Sequence, residues 1–155
     1  MRKNSHLGGI AAAIIIATAT VGCTDGIIYD QYKPLNGWER ADTAKFSVPA
    51  AAEAGIYRTD IGLRTNADYP FTGICLIVDK LILPAGTTQS DTLNCQLIDK
   101  HGRATGRGLS NYQYLFNTSS TCLKKGDSLV VTVRHNMKRE TLPGIEDVGL
   151  KITKE

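Results

Sequence analysis

Cys23 is the residue whose type and position indicate the clearest chemistry in this chain. It follows Gly22 at the end of an apolar run, residues 7–21, which lies behind a basic start made of Arg2 and Lys3. A basic start, an apolar run and a small residue before the cut are the parts of an export signal. Bacterial lipoprotein precursors are acylated on a cysteine that directly follows the cut. The sequence therefore predicts a covalent lipid on Cys23.

The apolar run has a second interpretation, an uncleaved membrane anchor. A spanning helix needs about 20 apolar residues, and this run is shorter and is interrupted by Gly8 and Gly9. We therefore predict a lipoprotein signal peptide at 1–22, a lipidated tether at 23–26 and a β-sandwich domain at 27–155. Acyl chains contribute about 0.8 kcal/mol per buried methylene, so the lipid bilayer is the first predicted partner.

The charge balance of the mature chain is close to neutral. Once Arg2 and Lys3 leave with the signal, 16 of the 18 basic residues remain against 15 acidic ones. A nucleic-acid partner requires a marked basic excess. The sequence therefore predicts no nucleic-acid partner.

The remaining cysteines give no disulfide framework and no metal site. Acylation of Cys23 leaves Cys75, Cys95 and Cys122, and an odd number in an oxidising envelope leaves at least one thiol unpaired. Cys75 and Cys95 lie in apolar runs, which is typical of small buried side chains. No Cys-x-x-Cys spacing is present. We therefore predict no metal and no cofactor beyond the lipid.

Catalytic patterns find little support in the sequence. His101 falls in a turn-like segment, and His135 alternates in phase with the apolar residues of the strand predicted at 128–137. The glycine-rich segment 102–110 would bind a nucleotide only if it led into a helix, and a tyrosine-rich strand pattern follows it. We therefore predict that the protein is not an enzyme.

The hydrophobic pattern of the mature chain has a period of two almost throughout, which is typical of half-buried strands. Clusters of Gly, Pro, Asn and Asp separate the runs. Two other segments are short: the alanine-rich 49–54 permits at most one helical turn, and 137–140 reads as a loop. The pattern predicts an all-β fold, an antiparallel β-sandwich of jelly-roll or Ig-like type. Its eight strands are predicted at 27–33, 43–48, 55–66, 73–83, 91–98, 112–116, 128–137 and 147–153.

Several short motifs follow one another between Tyr29 and Ile152. They are Asn36-Gly37-Trp38, Tyr57, Leu63-Arg64-Thr65-Asn66, Tyr69-Pro70, Asp91-Thr92, Gly102, Gly106-Arg107-Gly108, Met137-Lys138-Arg139 and the segment 142–150. The last is the strongest, because a turn holding Pro and Gly leads there into the terminal strand. In these motifs the chain resembles the gliding motility lipoprotein family GldH of the Bacteroidetes.

The resemblance implies a lipidated, non-enzymatic envelope component of the gliding motility machinery, acting as a scaffold or interaction module. Its implied partners are other envelope motility or secretion proteins. A surface-export tag is usually an acidic cluster after the acylated cysteine, and only Asp25 is present here. We therefore expect an outer-membrane lipoprotein on the periplasmic face.

Polar and aromatic residues near predicted strand ends are the candidates for an interaction surface. Trp38 has two open interpretations, a cap on one end of the sandwich or an exposed binding anchor. An alternative function is glycan binding, which would use Tyr112, Tyr114 and Trp38 as an open aromatic platform. The candidate surface consists of Trp38, Arg64, Tyr69, Arg107, Tyr112, Tyr114 and Arg139.

Overall fold

The computed structural model describes residues 26–155, and these residues form an all-β fold. The predicted signal peptide and Cys23 lie outside the described residues. Among residues 26–155, no helix is long and apolar enough to cross a membrane. The strands are Ile27–Pro34 (β1), Trp38–Glu39 (β2), Ala44–Val48 (β3), Gly55–Thr65 (β4), Gly73–Leu83 (β5), Thr87–Gln96 (β6), Tyr112–Asn117 (β7), Thr121–Leu123 (β8), Ser128–His135 (β9), Thr141–Leu142 (β10) and Ile145–Lys154 (β11).

The eight predicted strands are all present, while the short β2, β8 and β10 were not predicted. No helical turn forms at 49–54, which is consistent with the upper limit of one turn set from the sequence. The backbone N–H of Ala51 donates to Asp127 O (2.8 Å), and Ala51 O accepts from the N–H of Gly126 (2.8 Å). These bonds hold the segment against the neighbouring turn, so its backbone groups are not available for a helix.

The strands form two packed sheets and one small ribbon, and all recorded pairings are antiparallel. The first sheet has the order β1-β11-β4-β7, with β8 also paired to β4, and the second has the order β3-β9-β5-β6. β2 and β10 pair as a separate ribbon. The strand pairs are therefore nested along the chain. β1 pairs with β11, β3 with β9, β4 with β7, and β5 with β6. This nesting is the jelly-roll topology, the first of the two predicted alternatives.

The nested pairing gives the sandwich two distinct ends. At one end lie the first described residue, the C-terminus and the turns 49–54, 84–86 and 124–127, and we call it the terminal end. At the other end lie the segments 35–43, 66–72, 97–111 and 136–144, and we call it the loop end. At the terminal end the N–H of Lys154 donates to Gly26 O (2.8 Å), which fixes the start of β1 beside the end of β11.

The core lies between the two sheets and follows the predicted alternation. In β5 the buried positions alternate with half-buried ones, and in β9 the same pattern recurs. Cys95 is buried as expected, whereas Cys75 is only half-buried because it points to the other face of its sheet. The fully buried apolar side chains include Phe46, Ile61, Leu63, Leu76, Val78, Val131, Val133, Val148 and Ile152.

One inward position of β5 carries a lysine instead of an apolar residue. Lys80 is fully buried, and its ammonium lies 3.0 Å from Asp91 Oδ2. The ammonium also donates to Thr118 Oγ1 (3.2 Å), to Ser119 Oγ (3.0 Å) and to the carbonyl of Ser119. Because these acceptors lie between β7 and β8, the lysine joins the edges of the two sheets.

The carboxylate of Asp91 completes this network. It accepts a hydrogen bond from Ser119 Oγ (2.6 Å) as well as from Lys80. Burial by itself would raise the pKa of Asp91, but the hydrogen bonds from Ser119 and Lys80, together with the lysine charge, lower it below its usual value. The carboxyl group of Asp91 is therefore ionised at neutral pH.

The alternation of residues 57–64 predicts that Asp60 faces water, and that prediction is wrong. It is 4% exposed, although it points away from the core. Arg58 Nε donates to it at 3.0 Å, and Asn117 Nδ2 donates from the neighbouring β7 at 3.1 Å. The outer face of the first sheet is therefore partly covered by its own side chains.

Candidate interaction surface

The residues predicted for an interaction surface all lie at or beside the loop end. Four of them occupy its connecting segments, and the other three lie on β4 and β7 close to where those strands meet it. Their role as a surface stays a prediction, but the fold gathers them at one end. They are Trp38, Tyr69, Arg107 and Arg139 in the segments, and Arg64, Tyr112 and Tyr114 on the strands.

Three predicted tyrosines line one cleft of about 230 Å³ at the loop end. Tyr69 donates its hydroxyl to Gly73 O (2.8 Å), and its ring packs edge-on against Phe71 at 5.7 Å. Tyr114 is buried and donates to Leu97 O (3.4 Å). Burial raises the pKa of both tyrosines, so both hydroxyls stay protonated at neutral pH. Tyr112 is half-buried and completes the wall of this aromatic cleft.

A second cleft, of about 680 Å³, lies across the 66–70 turn from the aromatic cleft and is polar. At its wall the carboxylate of Glu146 accepts hydrogen bonds from Asn66 Nδ2 (3.2 Å) and from Asn111 Nδ2 (3.0 Å). These bonds use both carboxylate oxygens and join two connecting segments to the start of β11. The lining residues are Leu35, Asn36, Gly37, Asn66, Asp68, Thr141, Pro143, Gly144, Ile145, Glu146 and Asp147.

The polar cleft is built from the motifs that carry the family resemblance. The N–H of Leu35 donates to Glu146 O (2.6 Å), and the N–H of Asn66 donates to Gly144 O (2.9 Å). Gly144 has φ +76°, and a Cβ there would fall on the backbone of Tyr69. Only glycine fits this position, both by conformation and by space. The motifs therefore meet at one structural junction.

Arg64 lies on the outer face of the first sheet, above Tyr32. Its guanidinium is 4.0 Å from the centre of the Tyr32 ring and 3.5 Å from Asp147 Oδ2. The ring itself lies over Gly62 and Gly149, where a Cβ on either glycine would meet its atoms. Arg64 is thus held in place by a stacked ring and a carboxylate, and it remains partly exposed.

Arg107 belongs to the glycine-rich segment and pairs with the start of β7. Its N–H donates to Gln113 O (2.9 Å), and its carbonyl accepts from the N–H of Gln113 (2.8 Å). The segment then leads into β7 and not into a helix, so the strand predicted after it is confirmed. Leu109, at its tip, is 95% exposed.

Trp38 is a buried packing residue, so the exposed-anchor interpretation is wrong. It is 0% exposed, and its Nε1 donates to Asp42 O (3.1 Å). Its ring meets the ring of His135 edge-on at 5.6 Å. His135 Nε2 bonds Trp38 O (3.2 Å), and Nδ1 accepts the N–H of Met137 (3.3 Å), so the imidazole is neutral with its proton on Nε2. Burial lowers the pKa of His135.

The open aromatic platform required for glycan binding does not form. Trp38 is 0% and Tyr114 is 5% exposed, so two of its three rings face the core. Arg139 is exposed in the segment before β10 and lines neither the aromatic nor the polar cleft. Tyr69 and Tyr112 are the predicted aromatic residues that remain partly accessible.

Two features of this end were missed at the sequence level. Glu146, which joins the segments, lies inside the strongest motif, and that motif was the signal that could have pointed to it. The Tyr32 ring is the second, and its signal was a glycine in the interior of two predicted strands, at Gly62 and Gly149. Glycine inside a strand often marks the close approach of another group.

Comparison with known proteins gives relatives that match along most of their length. The gliding motility lipoprotein GldH of Flavobacterium johnsoniae is 27% identical over an alignment of 158 positions, gaps included. This alignment covers 97% of this chain and 96% of the relative. A protein of Christiangramia forsetii, a gliding motility lipoprotein GldH homolog, is 24% identical and covers 85% of this chain and 86% of its own.

Solved structures give only weak likenesses. A ruminal GH26 endo-β-1,4-mannanase aligns with 79% of this chain and 19% of its own, with 12% identity and a TM-score of 0.42. At that score the likeness bears on neither fold nor function.

The family model for the GldH lipoprotein, in contrast, matches residues 27–152, which is nearly all of the described fold. The resemblance seen in the motifs is therefore confirmed, and the chain belongs to the GldH lipoprotein family.

Proposed function

We propose that this protein is a lipid-anchored, non-enzymatic component of the gliding motility machinery, acting as a scaffold or interaction module. The observation that carries the proposal is the family match over residues 27–152, together with relatives named for gliding motility that align along nearly their whole length. The partners are other envelope motility or secretion proteins.

The anchor in this proposal is acylated Cys23, after removal of residues 1–22 and with residues 23–26 as the tether. A lipid confines the domain to the bilayer and raises its effective concentration near membrane partners without any additional contact. We place the protein on the periplasmic face of the outer membrane, since only Asp25 follows the cysteine where an acidic export tag would lie.

The loop end is the part of the domain that the proposal assigns to partners. Its two clefts flank the 66–70 turn, one aromatic and one polar. The junction of Glu146, Asn66 and Asn111 fixes the walls of the polar cleft by hydrogen bonds between segments. Because these walls are already ordered before a partner binds, less conformational entropy is lost on binding, which suits an interaction module.

The buried histidine fits a structural role. Both ring nitrogens of His135 are engaged, with Trp38 O and with the N–H of Met137, and its ring packs on Trp38. A general base needs a nitrogen free to take a proton from substrate. His135 therefore supports the non-enzymatic proposal.

The test is affinity purification from the native host with three chains: wild type, Cys23→Ala, and Tyr112→Ala at the aromatic cleft. Thr88→Ala, an exposed position on β6 at the terminal end, is the matched control. We expect motility proteins to be recovered with wild type and with the control, and to be depleted with Cys23→Ala and Tyr112→Ala. Equal recovery with Cys23→Ala would reject the anchor, and a mature N-terminus without acyl chains would do so directly.

A further inference from the structure

Exposed apolar side chains concentrate at the terminal end. Of the six large hydrophobic residues that are exposed among residues 26–155, four lie there: Ile27 (36%), Ile28 (36%), Ile56 (52%) and Leu83 (36%). They come from β1, β4 and β5, so they belong to both sheets. Scattered single residues of this kind are ordinary, whereas a concentration at one end of a domain is a reason to look for a partner there.

The pairing register places three of these residues at strand ends of the first sheet. Ile27 pairs with Thr153, and the register shift before Tyr29 leaves Ile28 as the extra residue of the edge strand. Ile56 pairs with Cys122, and the N–H of Glu155 donates to Ile56 O at 2.9 Å. Leu83 ends β5 of the second sheet, so the strand ends of both sheets contribute exposed apolar residues to the terminal end.

Two of the turns around this group are short and weakly charged. The segments 49–54 and 84–86 consist of Pro, Ala and Gly apart from Glu53, and most of these residues are exposed. Glu53 is bound to Lys154, which neutralises both charges. Lys124 and Lys125 lie exposed in the neighbouring turn 124–127. Small apolar turns with a few lysines suit a lipid interface, where apolar groups enter between headgroups and lysines meet phosphates.

The covalent path from the predicted lipid to this surface is short. Four residue steps separate Cys23 from Ile27, and at most about 3.6 Å per step this is a reach of about 14 Å. An acylated sulfur lies within the bilayer interface, so the terminal end cannot move further away than this reach. The occupant that this geometry selects is the lipid surface itself.

We infer that the terminal end is a membrane-docking surface on which Ile27, Ile28, Ile56 and Leu83 contact the headgroup region. The inference rests on the proposed acylation of Cys23 and adds an orientation to it. β11 has 10 residues, and at about 3.3 Å each they span about 33 Å. Docking therefore directs the loop end, with both clefts, away from the bilayer.

The test uses the acylated full chain bound to vesicles of phosphatidylethanolamine and phosphatidylglycerol that contain a headgroup nitroxide lipid. A fluorophore is attached to Cys122, an exposed thiol that pairs with Ile56 at the terminal end, in a Cys75→Ala background. The comparison probe is attached through Leu109→Cys with Cys75→Ala and Cys122→Ser, since Leu109 is exposed at the loop end. We expect strong quenching of the probe at 122 and none at 109.

Two substitutions ask whether the apolar group causes docking. Ile56→Asp is expected to weaken quenching at 122, whereas Leu115→Asp is expected to leave it unchanged. Leu115 is the matched control because it has the same exposure, 52%, and lies on β7 away from this end. Retained quenching with Ile56→Asp would overturn the role of this side chain in docking.

Vesicle flotation separates this inference from the proposal on which it rests. If wild type does not float with the vesicles, or floats equally with Cys23→Ala, the lipid anchor is rejected. If wild type floats through Cys23 but the probes at 122 and 109 are quenched equally or not at all, the anchor stands and the docking surface is rejected. Each outcome therefore decides one of the two statements.

Discussion

The buried ion pair of Lys80 and Asp91 leads to a prediction about folding stability. The relative exposure of the two side chains decides which substitution is the more destabilising. The lysine side chain is 0% exposed and the aspartate side chain 20%. Removing one partner of a buried pair leaves the other charge without compensation. Because the lysine is the more deeply buried partner, loss of the aspartate should destabilise the fold more than loss of the lysine.

The structure allows the magnitudes to be worked out for each substitution. Breaking a fully buried pair costs about 3–5 kcal/mol, and for Asp91→Asn we expect the lower limit, about 3 kcal/mol, because Thr118 and Ser119 still accept from the ammonium. For Lys80→Met we expect about 1–2 kcal/mol, since unsatisfied buried acceptors cost about 1–3 kcal/mol and water can reach Asp91. In the double variant the charge is removed from both sides, so its cost should be close to that of Lys80→Met alone.

The assay is urea denaturation of the full chain carrying Cys23→Ser, with tryptophan fluorescence as the probe. Trp38 is the single tryptophan of the sequence and is fully buried, so its emission reports unfolding. The pKa of Asp91 is lowered in the folded state, so its contribution is present above the unfolded pKa of about 3.9 and is lost as pH falls through the folded value. The difference between wild type and Asp91→Asn should therefore shrink below about pH 4.

Two results would refute this reasoning. One is a loss of unfolding free energy for Lys80→Met that equals or exceeds the loss for Asp91→Asn. That would mean that the buried lysine is not the charge left without compensation. The other is additivity of the single substitutions in the double variant within about 0.5 kcal/mol, the limit for residues that do not interact. The first result would reject the assigned order of the two costs, and the second would show that Lys80 does not depend on Asp91 for its place between the sheets.

Two further predictions concern packing and pH. Alanine normally suits a strand better than glycine, but Gly149→Ala should destabilise by about 1–3 kcal/mol, because the new Cβ would lie 2.6 Å from an atom of the Tyr32 ring. Tyr32→Ala should remove that penalty in the double variant, and a stabilising Gly149→Ala in wild type would contradict the stacked arrangement. The pKa of His135 is lowered in the folded state, so the unfolded chain binds more protons and stability should fall as pH drops below about 6.5. Urea midpoints at several pH values should show this slope in wild type and a flatter one in His135→Asn, and equal slopes would exclude His135 as its source.

The strands were predictable from the sequence because the signal for them is local. Alternation in 73–83 gave the bounds of β5 without error, and the terminal strand was found within two residues. β2 and β10 have two residues each, too few for any period to show. They exist because backbone groups of distant segments pair, which no local pattern records.

Burial of polar side chains was less predictable, since it depends on neighbours across the sheet. Asp60 alternates as an exposed residue, yet Arg58 and Asn117 cover it. Lys80 falls at an inward position of β5, in phase with Leu76 and Val78. This phase could have shown from the sequence that the position is internal. Alternation assigns a face to each residue, whereas the partners that satisfy a polar group come from other strands.

The grouping of the candidate residues at one end follows from counting strands. In an antiparallel fold each main strand reverses direction, so the odd-numbered connections between main strands share one end and the even-numbered ones share the other. Trp38, Tyr69, Arg107 and Arg139 lie in the first, third, fifth and seventh connections of the eight main strands. β8 continues the direction of β7, and β2 pairs with β10, so the short strands leave this parity unchanged. A correct strand count therefore predicts which loops share an end, and one missed main strand would have divided these residues between the two.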